Sequence, residues 1–69
     1  MYLVDIFRII PFDVPIVIQN VGEYRTINNQ LFVGYVKEIF HDEELYKRLK
    51  YYRVCGIKPV LGKLEILVY

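Results

Sequence analysis

The 69-residue sequence contains no serine, alanine or tryptophan, and it has one threonine, one histidine and one cysteine. Without serine, a nucleophilic hydrolase would have to use Cys55 with His41. A single cysteine excludes a disulfide framework, and together with one histidine it cannot build a protein-only Cys/His zinc site. The four glycines are scattered, so they form no glycine-rich phosphate loop. These absences predict a protein that is not an enzyme and that uses no cofactor or metal.

Signals for membrane insertion, export and disorder are also missing. No apolar run approaches the roughly 20 residues of a membrane span, and the opening residues lack the basic start and cleavage site of a signal peptide. The net charge of +1 and the few turn residues argue against a disordered tail. We therefore expect one soluble domain over residues 1–69, in the cytoplasm and without membrane contact.

The apolar content is high for so short a chain. It consists mainly of nine isoleucines, nine valines, seven leucines and eleven aromatic residues, seven of which are tyrosine. β-Branched and aromatic side chains favour strands. A small body has little interior, so we expect another copy or a partner to cover part of this surface. The composition predicts a homo-oligomer, a dimer or larger.

Hydrophobic periodicity and turn residues predict the helices and strands of the first half of the chain. Residues 1–10 have helical spacing, and the proline-bounded run from Pro15 to Asn20 is typical of a buried strand. Residues 24–27 are a candidate short strand, with a tight turn at Asn28 and Asn29. A second strand is expected over 31–36, where Gly34 indicates a bulge or a close backbone approach.

The second half contains the longest helix. Asp42 is a good N-cap, and the helix is expected to end near Tyr51 or Tyr52. Acidic residues begin this helix and basic residues end it, which predicts the ion pairs Glu43–Lys47 and Glu44–Arg48. A closing hairpin is expected, with strands 53–58 and 64–69, a break at Pro59 and a turn at Gly62. The predicted fold is α+β, with a small antiparallel sheet of four to five strands, a short N-terminal helix and one longer central helix.

Nucleic-acid binding is one functional hypothesis. Between residues 46 and 53, four basic residues alternate with tyrosines and no acid intervenes. Basic groups neutralise phosphates and tyrosine rings stack on unpaired bases. The candidate contact residues are Lys47, Arg48, Lys50, Tyr51, Tyr52 and Arg53, and Lys58 and Lys63 would extend the patch. The balanced net charge favours the alternative that these residues form ion pairs and cover the core.

Protein–protein binding is the second hypothesis. Seven tyrosines cannot all be interior in so small a body, and tyrosine is favoured in interfaces. The last strand is apolar on both faces, so it is either central in its sheet or paired across a dimer. The candidate oligomer interface comprises Leu64, Ile66, Val68 and Tyr69. A third hypothesis is a purely structural or assembly protein.

The order of these segments also resembles a known group of proteins. The chain is similar to tiny proteins encoded in phages, prophages and mobile elements of Gram-positive and gut bacteria. The segments that carry the resemblance are the amphipathic run 3–10, the proline turn and strand 14–18, the glycine strand 32–39 and the closing segments 54–57 and 64–68. Some anti-CRISPR proteins come from this group. The resemblance implies a non-enzymatic accessory protein in the cytoplasm of a bacterial host, where it occupies a surface of a partner. Inhibition of a host defence system such as CRISPR-Cas is one role that it allows.

Overall fold

A computed structural model of the chain describes residues 1–21 and 29–69. In this part of the chain, three short helices and four strands follow one another. They are α1 (Leu3–Phe7), β1 (Pro15–Asn20), β2 (Asn29–Tyr35), α2 (Val36–Phe40), α3 (Glu43–Leu49), β3 (Val54–Val60) and β4 (Lys63–Val68). The predicted α+β class is confirmed, as is the strand Pro15–Asn20 with its bounds. The candidate strand 24–27 and the Asn28 turn position lie outside the described residues.

The four strands form one mixed sheet in the order β2-β1-β4-β3. The pairs β1–β2 and β3–β4 are antiparallel, whereas β1 and β4 run parallel, with Ile16 opposite Leu64. The expectation of an entirely antiparallel sheet was therefore wrong for the central pair. A parallel pair needs a long crossover between its strands, and here β2, the two later helices and β3 supply it.

One face of the sheet carries the hydrophobic core. Ile16 and Ile18 of β1 and Ile66 and Val68 of β4 are buried on this face. Ile10, in the turn after α1, also belongs to the core. The helices contribute the remaining core residues, which are Leu3, Ile6, Phe7, Val36, Ile39 and Leu49. Because strand side chains alternate, Val17 points to the opposite face, and it is buried without belonging to the core cluster.

Strand β4 lies in the middle of the sheet, which corrects the interface prediction for the last strand. β4 pairs with β1 on one side and β3 on the other, so it offers no free edge. Ile66 and Val68 are fully buried within the single chain, and Leu64 packs against the same core. Ile66 and Val68 are therefore interior residues and Leu64 is partly buried beside them, because the monomer itself covers their face. Tyr69, just past the strand, is exposed.

Acidic side chains accept backbone hydrogen bonds at the start of each helix. Tyr2 donates its backbone N–H to Oδ2 of Asp5 at 3.0 Å, and Tyr35 donates to Oε2 of Glu38 at 2.7 Å. Asp42 caps α3 as predicted, since its Oδ1 accepts the Leu45 N–H at 3.1 Å. The carboxylates thus satisfy donors that a helix start leaves free. α3 ends at Leu49, earlier than expected, because residues 50–53 turn towards β3.

Gly34 makes a close approach of the backbone possible, as its position inside a strand indicated. Its φ is 149°, and a Cβ there would overlap the Glu38 carboxylate and lie 3.0 Å from the Phe32 ring. The irregularity of the β1–β2 ladder lies elsewhere, between Ile18 and Gln19. The glycine is therefore required by the tight passage from β2 into α2.

The β3–β4 hairpin is closed by Leu61 and Gly62, which have φ values of 41° and 83°. Positive φ at both central positions suits a two-residue hairpin turn and explains the use of Gly62. Pro59 does not end the first strand, which corrects that prediction. β3 is an edge strand, where a proline is tolerated because its missing N–H can lie on the open side.

Candidate binding surface

Seven side chains form a continuous chain of ring and cation contacts across the helical side of the molecule. We call this set the aromatic–cationic row, and in order of contact it consists of Phe12, Phe40, Tyr46, Lys50, Tyr51, Tyr2 and Arg53. The row runs from the turn before β1, across α2 and the end of α3, to the N-terminal segment and the start of β3. Its five rings form two groups, Phe12–Phe40–Tyr46 and Tyr51–Tyr2, and Lys50 connects them.

One end of the row is purely apolar. The Phe12 and Phe40 ring centroids lie 6.0 Å apart, and Phe40 lies 5.6 Å from Tyr46. Phe40 also contacts the buried Phe7 at 6.1 Å in an edge-on arrangement. Because Phe7 belongs to the core, this end of the row is anchored to the interior. Phe12 is nevertheless 55% exposed, so the apolar end faces solvent.

The other end carries two positive charges. The Lys50 ammonium lies 5.5 Å from the Tyr46 ring centroid and 4.9 Å from that of Tyr51, so it links the two halves of the row. Tyr51 meets Tyr2 edge-on at 6.0 Å, and the Arg53 guanidinium lies 5.5 Å from the Tyr2 centroid. Cations over ring faces are attracted by the ring quadrupole. These contacts hold the long basic side chains close to the protein surface.

Backbone hydrogen bonds fix the cationic end. The Leu3 N–H donates to the Tyr52 carbonyl at 2.8 Å, and the Val4 N–H donates to the Lys50 carbonyl at 3.1 Å. The Val54 N–H donates to the Met1 carbonyl at 2.9 Å. The start of the chain is thereby tied to the segment between α3 and β3. Tyr2 consequently stands beside Tyr51, although the two residues are distant in sequence.

The structure brings together three of the residues that were predicted to contact a partner. Lys50, Tyr51 and Arg53 lie in the row, and Tyr51 is 67% exposed. Sequence reasoning did not list Phe12, Phe40 or Tyr46 as contact residues, and it counted Tyr2 only among the seven tyrosines that cannot all be interior. The available signal was an apolar ring in a turn, since Phe12 stands between Pro11 and Asp13.

The other three predicted contact residues lie outside the row. Lys47 forms the expected ion pair with Glu43 at 3.2 Å. Arg48 is exposed but lies roughly 200° around the helix from Lys50. The ion pairs of the described residues do not include the predicted pair of Arg48 with Glu44. Tyr52 packs against the core. The basic run 46–53 is therefore divided by the helix instead of forming one surface.

The candidate nucleophile Cys55 lies in β3, within the predicted strand 53–58. It is exposed, and its Sγ lies 3.4 Å from the Leu67 carbonyl oxygen. The β3–β4 register shifts between Val54 and Gly56, and this irregularity turns the thiol outwards. His41 is exposed at the end of α2, where its backbone N–H donates to the Lys37 carbonyl. Cys55 and His41 thus belong to separate elements of the fold.

The acidic residues also do not converge on one point. Asp42, Glu43 and Glu44 are consecutive at the start of α3, where Asp42 caps the helix and Glu43 pairs with Lys47. Within residues 1–21 and 29–69, no three histidine, cysteine or acidic side chains converge as metal ligands. No described helix is long and apolar enough to cross a membrane.

The row therefore combines exposed apolar rings with fixed positive charges. Comparisons with protein-family models, with curated proteins and with solved structures found no match to this chain.

Proposed function

We propose that this protein is a non-enzymatic accessory protein that acts by protein–protein contact through the aromatic–cationic row. The observation that carries the proposal is the continuity of the row, from Phe12 at its apolar end to Arg53 at its cationic end. Tyrosine and arginine are enriched among the residues that dominate binding energy at interfaces. Rings that are partly anchored in the core lose little conformational entropy when a partner covers them.

The charge distribution indicates the chemistry of the partner. Phe12 and Phe40 would occupy an apolar depression, while Lys50 and Arg53 would face acidic groups at the other end of the interface. Complementary charge accelerates association and fixes the orientation of the two proteins. The partner class that the phage-type resemblance implies is a component of a bacterial defence system such as CRISPR-Cas.

A plasmid-interference assay tests this proposal. The chain is expressed in bacteria that carry an active CRISPR-Cas system, and survival of a targeted plasmid is measured. We expect the wild-type chain to raise plasmid survival. The variants Tyr51→Ala and Arg53→Glu should lose about tenfold or more of the affinity for the partner, and with it the protection.

Arg8→Glu and Lys47→Glu are the matched controls, because both residues are exposed and lie outside the row. They should leave protection unchanged. Absence of protection by the wild-type chain across the systems tested would overturn the defence-inhibitor role. Full protection by Tyr51→Ala and Arg53→Glu would show that the row is not the contact surface.

Nucleic-acid binding is the second candidate, and the juxtaposition of Lys50 and Arg53 with Tyr51 and Tyr2 favours it. Against it, the cations already lie over those rings, and the apolar end of the row carries no cation to follow a phosphate backbone. Titration into labelled single-stranded and duplex DNA at roughly 50 and 200 mM salt separates the two candidates. A fall in affinity on the order of a hundredfold would mean several phosphate contacts, whereas an apolar protein interface should vary little. A third role, in assembly alone, would be supported by an oligomer that binds neither partner.

A further inference from the structure

The start of the chain and the segment before β3 form a short antiparallel pair, in which Tyr2 lies opposite Arg53. The backbone hydrogen bonds of this pair lie on either side of the two residues and do not join them to each other. Side chains of such a pair are closer together than those of a hydrogen-bonded pair. This geometry accounts for the position of the Arg53 guanidinium over the Tyr2 ring.

The backbone groups of Tyr2 consequently point away from Arg53, and Asp5 bonds to both of them. The Tyr2 N–H donates to Oδ2 of Asp5, and the Asp5 N–H donates to the Tyr2 carbonyl, each at 3.0 Å. Asp5 is exposed and is not a member of the aromatic–cationic row. It thus holds Tyr2 from the side that the pair with Arg53 leaves open.

Arg53 is held in turn from its other side by the end of the chain. Its N–H donates to the Tyr69 carbonyl at 3.1 Å, and the Tyr69 N–H donates to the Arg53 carbonyl at 3.0 Å. Neither ion pair of the described residues includes Arg53 or Asp5. The Asp5 carboxylate is therefore engaged with backbone, and the guanidinium keeps its charge for a partner.

A second instance of this arrangement lies at the start of α2. The Tyr35 N–H donates to Glu38, and the Lys37 ammonium lies 5.6 Å from the Tyr35 ring centroid. Both helices are thus preceded by a tyrosine whose N–H is held by the acid three residues later and whose ring has a cation over it. The instance at α2 lies outside the row, so it supplies a matched control.

The geometry points to Asp5 as a positioning residue of the aromatic–cationic row. Its carboxylate fixes the backbone of Tyr2, whose ring meets Tyr51 edge-on at 6.0 Å and lies under the Arg53 guanidinium. Without this carboxylate, Tyr2 would be held on one side only, and its ring would leave Tyr51 and Arg53. Asp5 itself touches no partner. The inference rests on the proposed function for the use of the row, but not for its geometry.

NMR of the purified chain tests this assignment without a partner. The Tyr2 ring current displaces the resonances of the Arg53 side chain, and Asp5→Ala should return them most of the way to the values of an unfolded chain. Asp5→Asn keeps an acceptor oxygen for the Tyr2 N–H without the charge, and it should preserve the displacement. Glu38→Ala removes the matching bond at α2, so it should shift the Lys37 resonances and leave those of Arg53 unchanged.

A general loss of stability is separated from a loss of position by the core. Unchanged methyl resonances of the buried Ile66 identify the variants that keep the fold. In a folded Asp5→Ala variant, Arg53 resonances that stay displaced would overturn the assignment. Arg53 resonances that move equally in Glu38→Ala, or an Asp5→Asn variant that behaves like Asp5→Ala, would also overturn it.

The same variants enter the plasmid-interference assay. Asp5→Ala should lower plasmid survival, and Asp5→Asn should retain it. Full protection by an Asp5→Ala variant with altered Arg53 resonances would overturn the role of Asp5 at the surface. Absence of protection by the wild-type chain would count against the proposed function alone, because the NMR result does not depend on a partner.

Discussion

The backbone N–H of Tyr35 donates to Oε2 of Glu38 at 2.7 Å, at the junction where β2 ends and α2 begins. We predict that Glu38→Ala lowers the free energy of unfolding by about 1 kcal/mol, because it leaves this donor to water alone. Urea denaturation measures the change. Glu44→Ala removes an exposed acid of α3 that caps nothing, and it should change stability by less. Equal losses would show that the Tyr35–Glu38 bond is unimportant.

Gly34 should not tolerate a side chain. We expect Gly34→Ala to destabilise the fold by about 1–3 kcal/mol, since its positive φ is strained for other residues and the new Cβ would overlap Glu38. Gly56→Ala is the matched control, because a Cβ there would lie 3.6 Å from Leu67 Cδ1, an ordinary contact. Combining Gly34→Ala with Glu38→Ala should cost less than the sum of the single changes.

Asp42 should contribute to the stability of the fold although its side chain is exposed. Replacing it by alanine removes the acceptor for the Leu45 N–H and should cost about 1 kcal/mol in thermal or urea unfolding. Asp13→Ala, at an exposed turn position, is the control and should cost little. If the two variants unfold alike, the cap contributes nothing to α3.

The interior position of Ile66 predicts an effect on the monomer. Ile66→Ala should lower the free energy of unfolding by about 2–5 kcal/mol, because it leaves a cavity in the core. Leu61→Ala, at a turn residue that is 99% exposed, should be neutral. The loss at Ile66 should not depend on protein concentration. A loss that vanishes on dilution would instead return Ile66 to an oligomer interface.

Local signals in the sequence predicted most elements of the fold. Prolines bounded β1, Asp42 marked the start of α3, and Gly62 marked the hairpin turn. The parallel pairing of β1 with β4 could not be predicted, because strand alternation defines faces but not neighbours. Without the strand order, Leu64, Ile66 and Val68 could be assigned equally to a core or to an interface.

The binding surface was predictable only in part for a similar reason. Lys50, Tyr51 and Arg53 are near one another in sequence, so their association was visible as a basic, tyrosine-rich run. Tyr2 joins them because the N-terminal segment is hydrogen-bonded beside α3 and β3, and Phe12 joins the row through its contact with Phe40. The helix geometry separated Arg48 from the same run. A linear pattern identifies residues of suitable chemistry, and tertiary packing selects which of them meet.

The central position of β4 also governs the order in which the molecule can be assembled. The β3–β4 hairpin is local, but its junction with β1 joins Ile16 to Leu64 across most of the chain. Closing so large a loop is slow compared with forming a hairpin. During synthesis, the edge of β1 that pairs with β4 stays without its partner strand until residue 68 has emerged. A chain interrupted before β4 would leave β1 and β3 as separate, unpaired edges. The sheet can therefore be completed only when the last strand pairs with both of them.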